Sequence, residues 1–207
     1  MNTYTKKDYL IMVGLILLCL VPAVAGIYRL ITLGFSGEIR PENERFFHSP
    51  APAVFHIVSS LVFGLLGAFQ FSPGFRRKHL EWHRVSGQFL VFFGLVSALS
   101  GLWLTLFYPH IPTDGDYLYS IRIAVGIAMT ICVILGFTSI RKRQISNHSN
   151  WMIRAYAIGM GAGTQVLTHL PWFIFFGEPT GLTRDLLMAA GWAVNILAAE
   201  WIVHRRK

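Results

Sequence analysis

Long apolar runs separated by short polar turns set the pattern of this chain. A helix crossing the hydrocarbon core of a bilayer needs about 20 predominantly apolar residues at about 1.5 Å each. Six runs meet that requirement, over 9–33, 53–71, 85–108, 118–140, 151–176 and 183–203. None shows the polar–apolar alternation of a barrel strand. In lipid every backbone N–H and C=O must be satisfied within its own segment, so each run is predicted to be a helix. Turn residues punctuate the runs: Pro50 and Pro52, Ser72-Pro73-Gly74, the stretch from Pro109 to Asp116, and Glu178-Pro179-Thr180-Gly181. The expected fold is all-α, a polytopic bundle of six transmembrane helices forming one integral membrane domain over 1–207. The longest connections, 35–52 and 72–84, leave too little chain for a soluble domain.

Composition agrees with this reading. Hydrophobic residues make up 54% of the 207 and charged ones 14%, and the mean hydropathy is +0.51, too apolar for a soluble domain of this length. The net charge of +8 would suit nucleic acid if it were spread over one face, but it is partitioned along the chain. Lys6, Lys7, Arg76, Arg77, Lys78, Arg84, Arg141, Lys142, Arg143, Arg205, Arg206 and Lys207 belong to one side of a six-span topology. The other side carries Arg29, Arg40, Arg45, Arg122 and Arg184 with most of the acids: Glu38, Glu42, Glu44, Asp114, Asp116, Glu178 and Asp185. This is a positive-inside pattern, which predicts cytoplasmic termini and residence in the cytoplasmic (inner) membrane. The lipid bilayer is the expected partner, and nucleic acid is not.

Cys19 and Cys132 lie inside apolar runs with no metal-ligand spacing, and read as small core residues rather than a disulfide. Lys6-Lys7, an apolar stretch and Ala23-Val24-Ala25 resemble a cleavable leader. The run continues to Tyr28, however, so a retained helix kinked at Pro22 is expected. No phosphate-binding glycine loop, metalloprotease helix or nucleophile elbow occurs. No carboxylate lies mid-membrane and no internal repeat stands out, which argues against an acid proton relay and an inverted-repeat transporter.

Candidate chemistry rests on histidines in two tiers. His83 and His148 fall at the cytoplasmic ends of their runs, each near an arginine, Arg84 and Arg154. His56 and His169 fall toward the opposite face. Ionisable groups in a bilayer are costly and mark functional sites by default. His56, Ser60, Gly64 and Gly67 share one helical face, where another helix or a flat cofactor can approach closely. Gly87, one turn beyond His83, leaves room above that imidazole, while Gly87, Gly94 and Gly101 form a seven-residue packing seam. Arg154, Gly161, Gln165, Thr168 and Trp172 form a stripe pointing into the bundle, with His169 at its edge and a kink expected there from Pro171. Ser146-Asn147 and Ser149-Asn150 around His148 read as a helix-capping region. Arg154 suits either a headgroup or a carboxylate, and Glu200 with His204 reads as an ion pair.

His56, Gly67-x-x-Gln70-Phe71, Arg76, His83-Arg84-x-x-Gly87 and His148-x-x-Trp151-Met152-x-Arg154-x-Tyr156-Ala157 together resemble a bacterial family of predicted integral membrane proteins, domain of unknown function 2306. The resemblance covers 53–176 and implies the membrane fold but no activity. Members often carry a further arginine late in the fifth run, where this chain has Gln165. A looser resemblance, histidines in two tiers of a helical core, is to transmembrane b-type cytochromes. It implies haem b with His83 and His148 as inner axial ligands and His56 and His169 as an outer pair, so that all four are metal ligands. Arg84 and Arg154 would hold propionates, and a membrane or redox partner would exchange electrons. The alternative is a non-redox binder or carrier of a lipid, quinone or small anion that uses the inner His/Arg cluster.

Overall fold

The computed structural model describes residues 5–35, 37, 39 and 43–206. Glu38, Arg40, Glu42 and Lys207 of the charge pattern lie outside them. The helices are α1 (Lys6–Gly34), α2 (Glu44–His48), α3 (Pro50–Gln70), α4 (Pro73–Lys78), α5 (Leu80–Phe107), α6 (Leu118–Arg141), α7 (Ile145–Gly159), α8 (Gly161–Phe176) and α9 (Gly181–His204). The described residues contain no strand, only an isolated bridge between Asp114 and Gly181. By length and composition, α1, α3, α5, α6 and α9 can each cross a membrane.

The fifth apolar run departs from expectation. It begins earlier, at Ile145, and is divided at Met160 into α7 and α8, each too short to span alone. The helix runs through Pro171 but breaks eleven residues before it. Glycines flank the break, and each is needed for a close approach. A Cβ on Gly159 would press on the Phe63 ring, on Gly161 on the Trp192 indole, and on Gly163 on the Leu18 carbonyl. Glycine is among the poorest helix formers, so the helix is weakest where its neighbours come closest. His148 consequently lies in the first turn of α7, after Gln144, and no side chain caps that end.

The long helices close a ring. α1 packs on α3, α3 on α5, α5 on α6, α6 on α7, α7 and α8 on α9, and α8 back on α1, while α7 also touches α3 and α5. The core where α7 meets α3 contains Phe63, Leu90, Val133, Ala155 and Tyr156. Tyr156 donates its hydroxyl to the Gly64 carbonyl at 2.7 Å, and its ring lies over Gly67 and 4.5 Å from that of Phe71. Leu17, Phe92, Ile131, Phe175 and Leu197 face outward, as a lipid-facing surface requires.

Buried carboxylates tie the helix ends. Asp8, with Thr5, forms a capping box on α1 and accepts from the Gly74 N–H at 2.7 Å, which joins α1 to α4. At the other end Asp185 of α9 accepts from the N–H groups of Gly115 and Tyr117 at 2.8 and 3.0 Å, fixing the entry to α6.

Candidate functional site

A cavity of about 480 Å³ lies inside the ring, with walls from α1, α2, α3, α5, α6, α7, α8 and α9. His56 and Ser60 of α3 line it, together with Gly64 one turn further in. The shared face read from the sequence therefore divides: its outer part faces the cavity, while Gly67 packs under Tyr156. The His56 Nδ1–H donates to the Ser97 carbonyl at 3.0 Å, since a carbonyl can only accept. This fixes the tautomer and leaves the Nε2 lone pair for an incoming donor. Gly101 permits the position of the ring, for a Cβ there would lie 3.1 Å from His56 Cε1.

Two arginines that the histidine reading did not use line the same cavity, Arg122 from α6 and Arg45 from α2. Arg122 donates to Asp114 at 2.6 Å, and Arg184 of α9 donates to the other oxygen of the same carboxylate at 2.8 Å. Burial pushes the Asp114 carboxyl up, but the hydrogen bonds and charges of the two arginines outweigh this and hold it below its ordinary value. Arg45 lies on the Phe46 ring at 4.6 Å, with Arg29 on the same ring at 4.4 Å. Its Nε is buried with no hydrogen-bond partner. Burial, followed by the charges of Arg122 and Arg29, pushes the Arg45 guanidinium below its ordinary value, while Asp114 acts the other way. In the sequence Arg45 falls in the connection 35–52, outside any periodic apolar run, and so gave no signal as a site residue.

His169 lines a second, more open cavity with Glu178, Arg184 and Phe173. Its Nδ1–H donates to the Gln165 carbonyl at 2.7 Å, and its Nε2 is buried without a partner. Gln165 lines both cavities, which places His56 and His169 on either side of it rather than across one space. The outer pair expected from the sequence therefore does not share one cavity.

At the other end of the bundle, Arg76, His148 and Arg84 lie within electrostatic range of His83, whereas Arg154 does not act on it. The Gln70 side chain donates to the His83 carbonyl and to Ser86 Oγ, at 3.2 and 2.7 Å. Gly87 is open, with only Gln70 Nε2 4.0 Å from an added Cβ. His148 donates Nδ1–H to the Gly136 carbonyl at 2.8 Å, leaving its Nε2 lone pair, and His83 Nδ1 is buried without a partner. An imidazole with a ring nitrogen that lacks a partner is the donor type that axial ligation of haem iron uses, but neither ring lines either of the two cavities. The propionate half of the expectation fits less well. Arg84 is exposed, but both oxygens of Glu200 hold Arg154, Nε at 2.5 Å and Nη2 at 2.7 Å. The predicted Glu200–His204 pair is correspondingly loose, at 3.9 Å. Among the described residues no three His, Cys, Asp or Glu side chains gather as a metal cluster, and both cysteines are free thiols.

The polar stripe on α7 and α8 faces α9. Besides Arg154 with Glu200, Gln165 and Thr168 donate to the Met188 and Leu187 carbonyls, at 3.1 and 2.8 Å, and Thr164 donates to Asn195 at 2.8 Å. These bonds hold the broken helix against its neighbour, where polar pairs substitute for the hydrophobic drive that lipid removes.

A ring of apolar helices with lipid-facing outer surfaces and polar groups turned inward defines a polytopic membrane protein. The chain belongs to the DUF2306 family of predicted membrane proteins, whose model matches residues 53–203. The match runs from α3 through α9, further than the motifs around His56, His83 and His148 extend. No curated protein and no solved structure matches the chain, so no relative supports the looser likeness to transmembrane b-type cytochromes.

Proposed function

We propose that the protein binds a membrane-soluble small molecule inside its helical ring, as a non-redox binder or carrier. The observation that carries this reading is the cavity of about 480 Å³, which falls within the range of small-molecule sites, about 300–1,000 Å³. Its walls are largely apolar with a few convergent polar groups, the composition expected of such sites. His56 Nε2 would accept a hydrogen bond from the ligand, and Gly26, Gly64, Gly101 and Gly126 also line the walls. The site is placed at the opposite face from the inner His/Arg cluster that the sequence favoured. With α7 and α8 together counted as the fifth crossing, six spans put both termini on the basic, cytoplasmic side of the inner membrane, and the cavity toward the outer leaflet. Protein purified in a mild detergent should retain a small membrane-derived molecule, detectable by native mass spectrometry and absent from a cavity-filling Ser60→Leu variant. Equal retention by both proteins would sink the proposal.

A second reading is supported by one observation, the partnerless buried Nδ1 of His83, together with a His148 ring whose Nδ1 is engaged and whose Nε2 keeps its lone pair. These two imidazoles would hold haem b, which supplies one-electron chemistry when bound, while Arg76 and Arg84 meet its propionates. Haem supplementation should then give a Soret band that shifts on dithionite reduction and is lost in His83→Ala and His148→Ala. A colourless preparation after supplementation rules it out.

A further inference from the structure

We infer that the ligand of this cavity is a single-chain anionic amphiphile, its carboxylate or phosphate head held by Arg45 and Arg122 and its chain laid inward past His56; the inference rests on the binding role proposed above. The cavity has two chemically different ends. Arg45, Phe46, Tyr108, Ile111 and Arg122 line one end, at the loops, while Cys19, Gly64, Met129 and Met160 line the other. His56 and Gly64 are eight residues apart on α3, about 12 Å of helix, so the apolar end extends well into the bundle.

The loop end concentrates positive charge. Among the described residues, Asp114 is the carboxylate in ion-pair contact with this group, and it is shared by Arg122 and Arg184. Among the described residues Arg45 has no carboxylate in ion-pair contact; its Nη1 makes a long bond to the Pro109 carbonyl, 3.4 Å, and its buried Nε finds no acceptor. A buried guanidinium N–H without an acceptor is costly, and an anionic oxygen would satisfy it with a charge-assisted bond. The charges of Arg29, Arg45 and Arg122 reinforce one another at this end. A neutral lipid would leave the Arg45 Nε–H without an anionic acceptor. A free anion would use the arginines but leave the apolar end without an occupant.

The test is binding to the full chain in non-ionic detergent, read by thermal shift and by titration. The probes are oleoyl lysophosphatidate, oleate, neutral mono-oleoylglycerol and inorganic phosphate. The two anionic amphiphiles are expected to bind at least about tenfold more tightly than the neutral one, the ratio that one charge-assisted bond supplies. Arg45→Gln should reduce them to the level of the neutral probe, and Arg45→Lys should restore part of the difference. The unliganded melting temperature of each variant separates lost binding from lost folding. Should Arg45→Gln unfold, Arg122→Lys replaces it and should weaken anionic probes selectively. Equal binding of mono-oleoylglycerol and oleate overturns the anionic head while leaving the cavity-binding role in place. Binding of inorganic phosphate alone, without gain from an acyl chain, overturns the amphiphile. If none of the probes binds, this inference fails, and retention of a different native molecule decides whether the binding role survives it.

Discussion

The guanidinium of Arg154 is held by both carboxylate oxygens of Glu200, 46 residues further along the chain. The pair joins α7 to α9 near the inner end of the bundle, and the Trp151 ring covers the guanidinium at 4.9 Å. Arg154 is 24% and Glu200 35% exposed, which is too buried for either charge to stand alone. Arg154→Met or Glu200→Met alone should destabilise the protein by about 1–3 kcal/mol, because each breaks a bidentate pair and leaves one of its charges in place. The double Met variant should recover most of that loss, since two apolar side chains replace the pair without leaving a charge behind. Thermal unfolding of the four proteins measures the cycle, and losses that simply add would show that the two residues act independently.

Asp114 sets a pH dependence at the opposite end. Its carboxyl is held below the ordinary value of 3.8 by Arg184 and Arg122, against the burial that pushes it up. A carboxylate with a depressed folded-state pKa contributes stability that is complete above the unfolded-state value and is lost as pH falls through the folded one. The protein should therefore keep constant stability from this group at neutral pH and lose it below about pH 4. Asp114→Asn should melt lower at pH 7 and lose less on acidification. An unchanged acid slope in Asp114→Asn would assign the lability to another group.

How much of this was legible beforehand follows from the physics of each element. Apolar runs are read reliably because in lipid they must be helices. The charge pattern also put Arg122 on the side toward which His56 falls, and both line the same cavity. The break at Met160 escaped because it depends on Phe63, Trp192 and Leu18, all remote in sequence from the glycines they approach. One-turn spacing assigned Glu200 to His204, but a better-aligned partner arrived from another helix. Arg45 was counted only as a loop charge, since nothing local marks which loop residue folds over a cavity mouth. The staple at Asp8 did leave a local signal, the Thr5-x-x-Asp8 spacing of a capping box.

Gly67 of α3 and Gly87 of the α5 seam should respond unequally to the same change. A Cβ on Gly67 would enter the space of the Tyr156 ring, which is pinned by Phe71, Phe63 and its bond to Gly64. Gly67→Ala is expected to destabilise by about 1–3 kcal/mol, the usual cost of overpacking a fixed core. Gly87 faces open space, and Gly87→Ala should be neutral or stabilising by about 0.5–1 kcal/mol through helix propensity. Paired melting curves check both, and equal losses would mean that Gly87 is packed rather than open.

Ser60 offers the cleanest separation of ligand binding from folding. Its hydroxyl bonds Ser97 Oγ at 2.7 Å while its side chain borders the cavity. Ser60→Leu removes that bond and leaves the buried Ser97 hydroxyl without it, a loss of about 1–3 kcal/mol, but adds apolar volume to a space with room for it, at about 0.8 kcal/mol per buried methylene. The two effects nearly cancel, so the unliganded melting temperature should move by only a few degrees, at roughly 2–4 °C per kcal/mol for a chain of this size. Stabilisation by any ligand seated beside His56 should disappear, because the leucine occupies its place. A variant that melts like the parent and still responds fully to ligand would place the binding site outside this cavity.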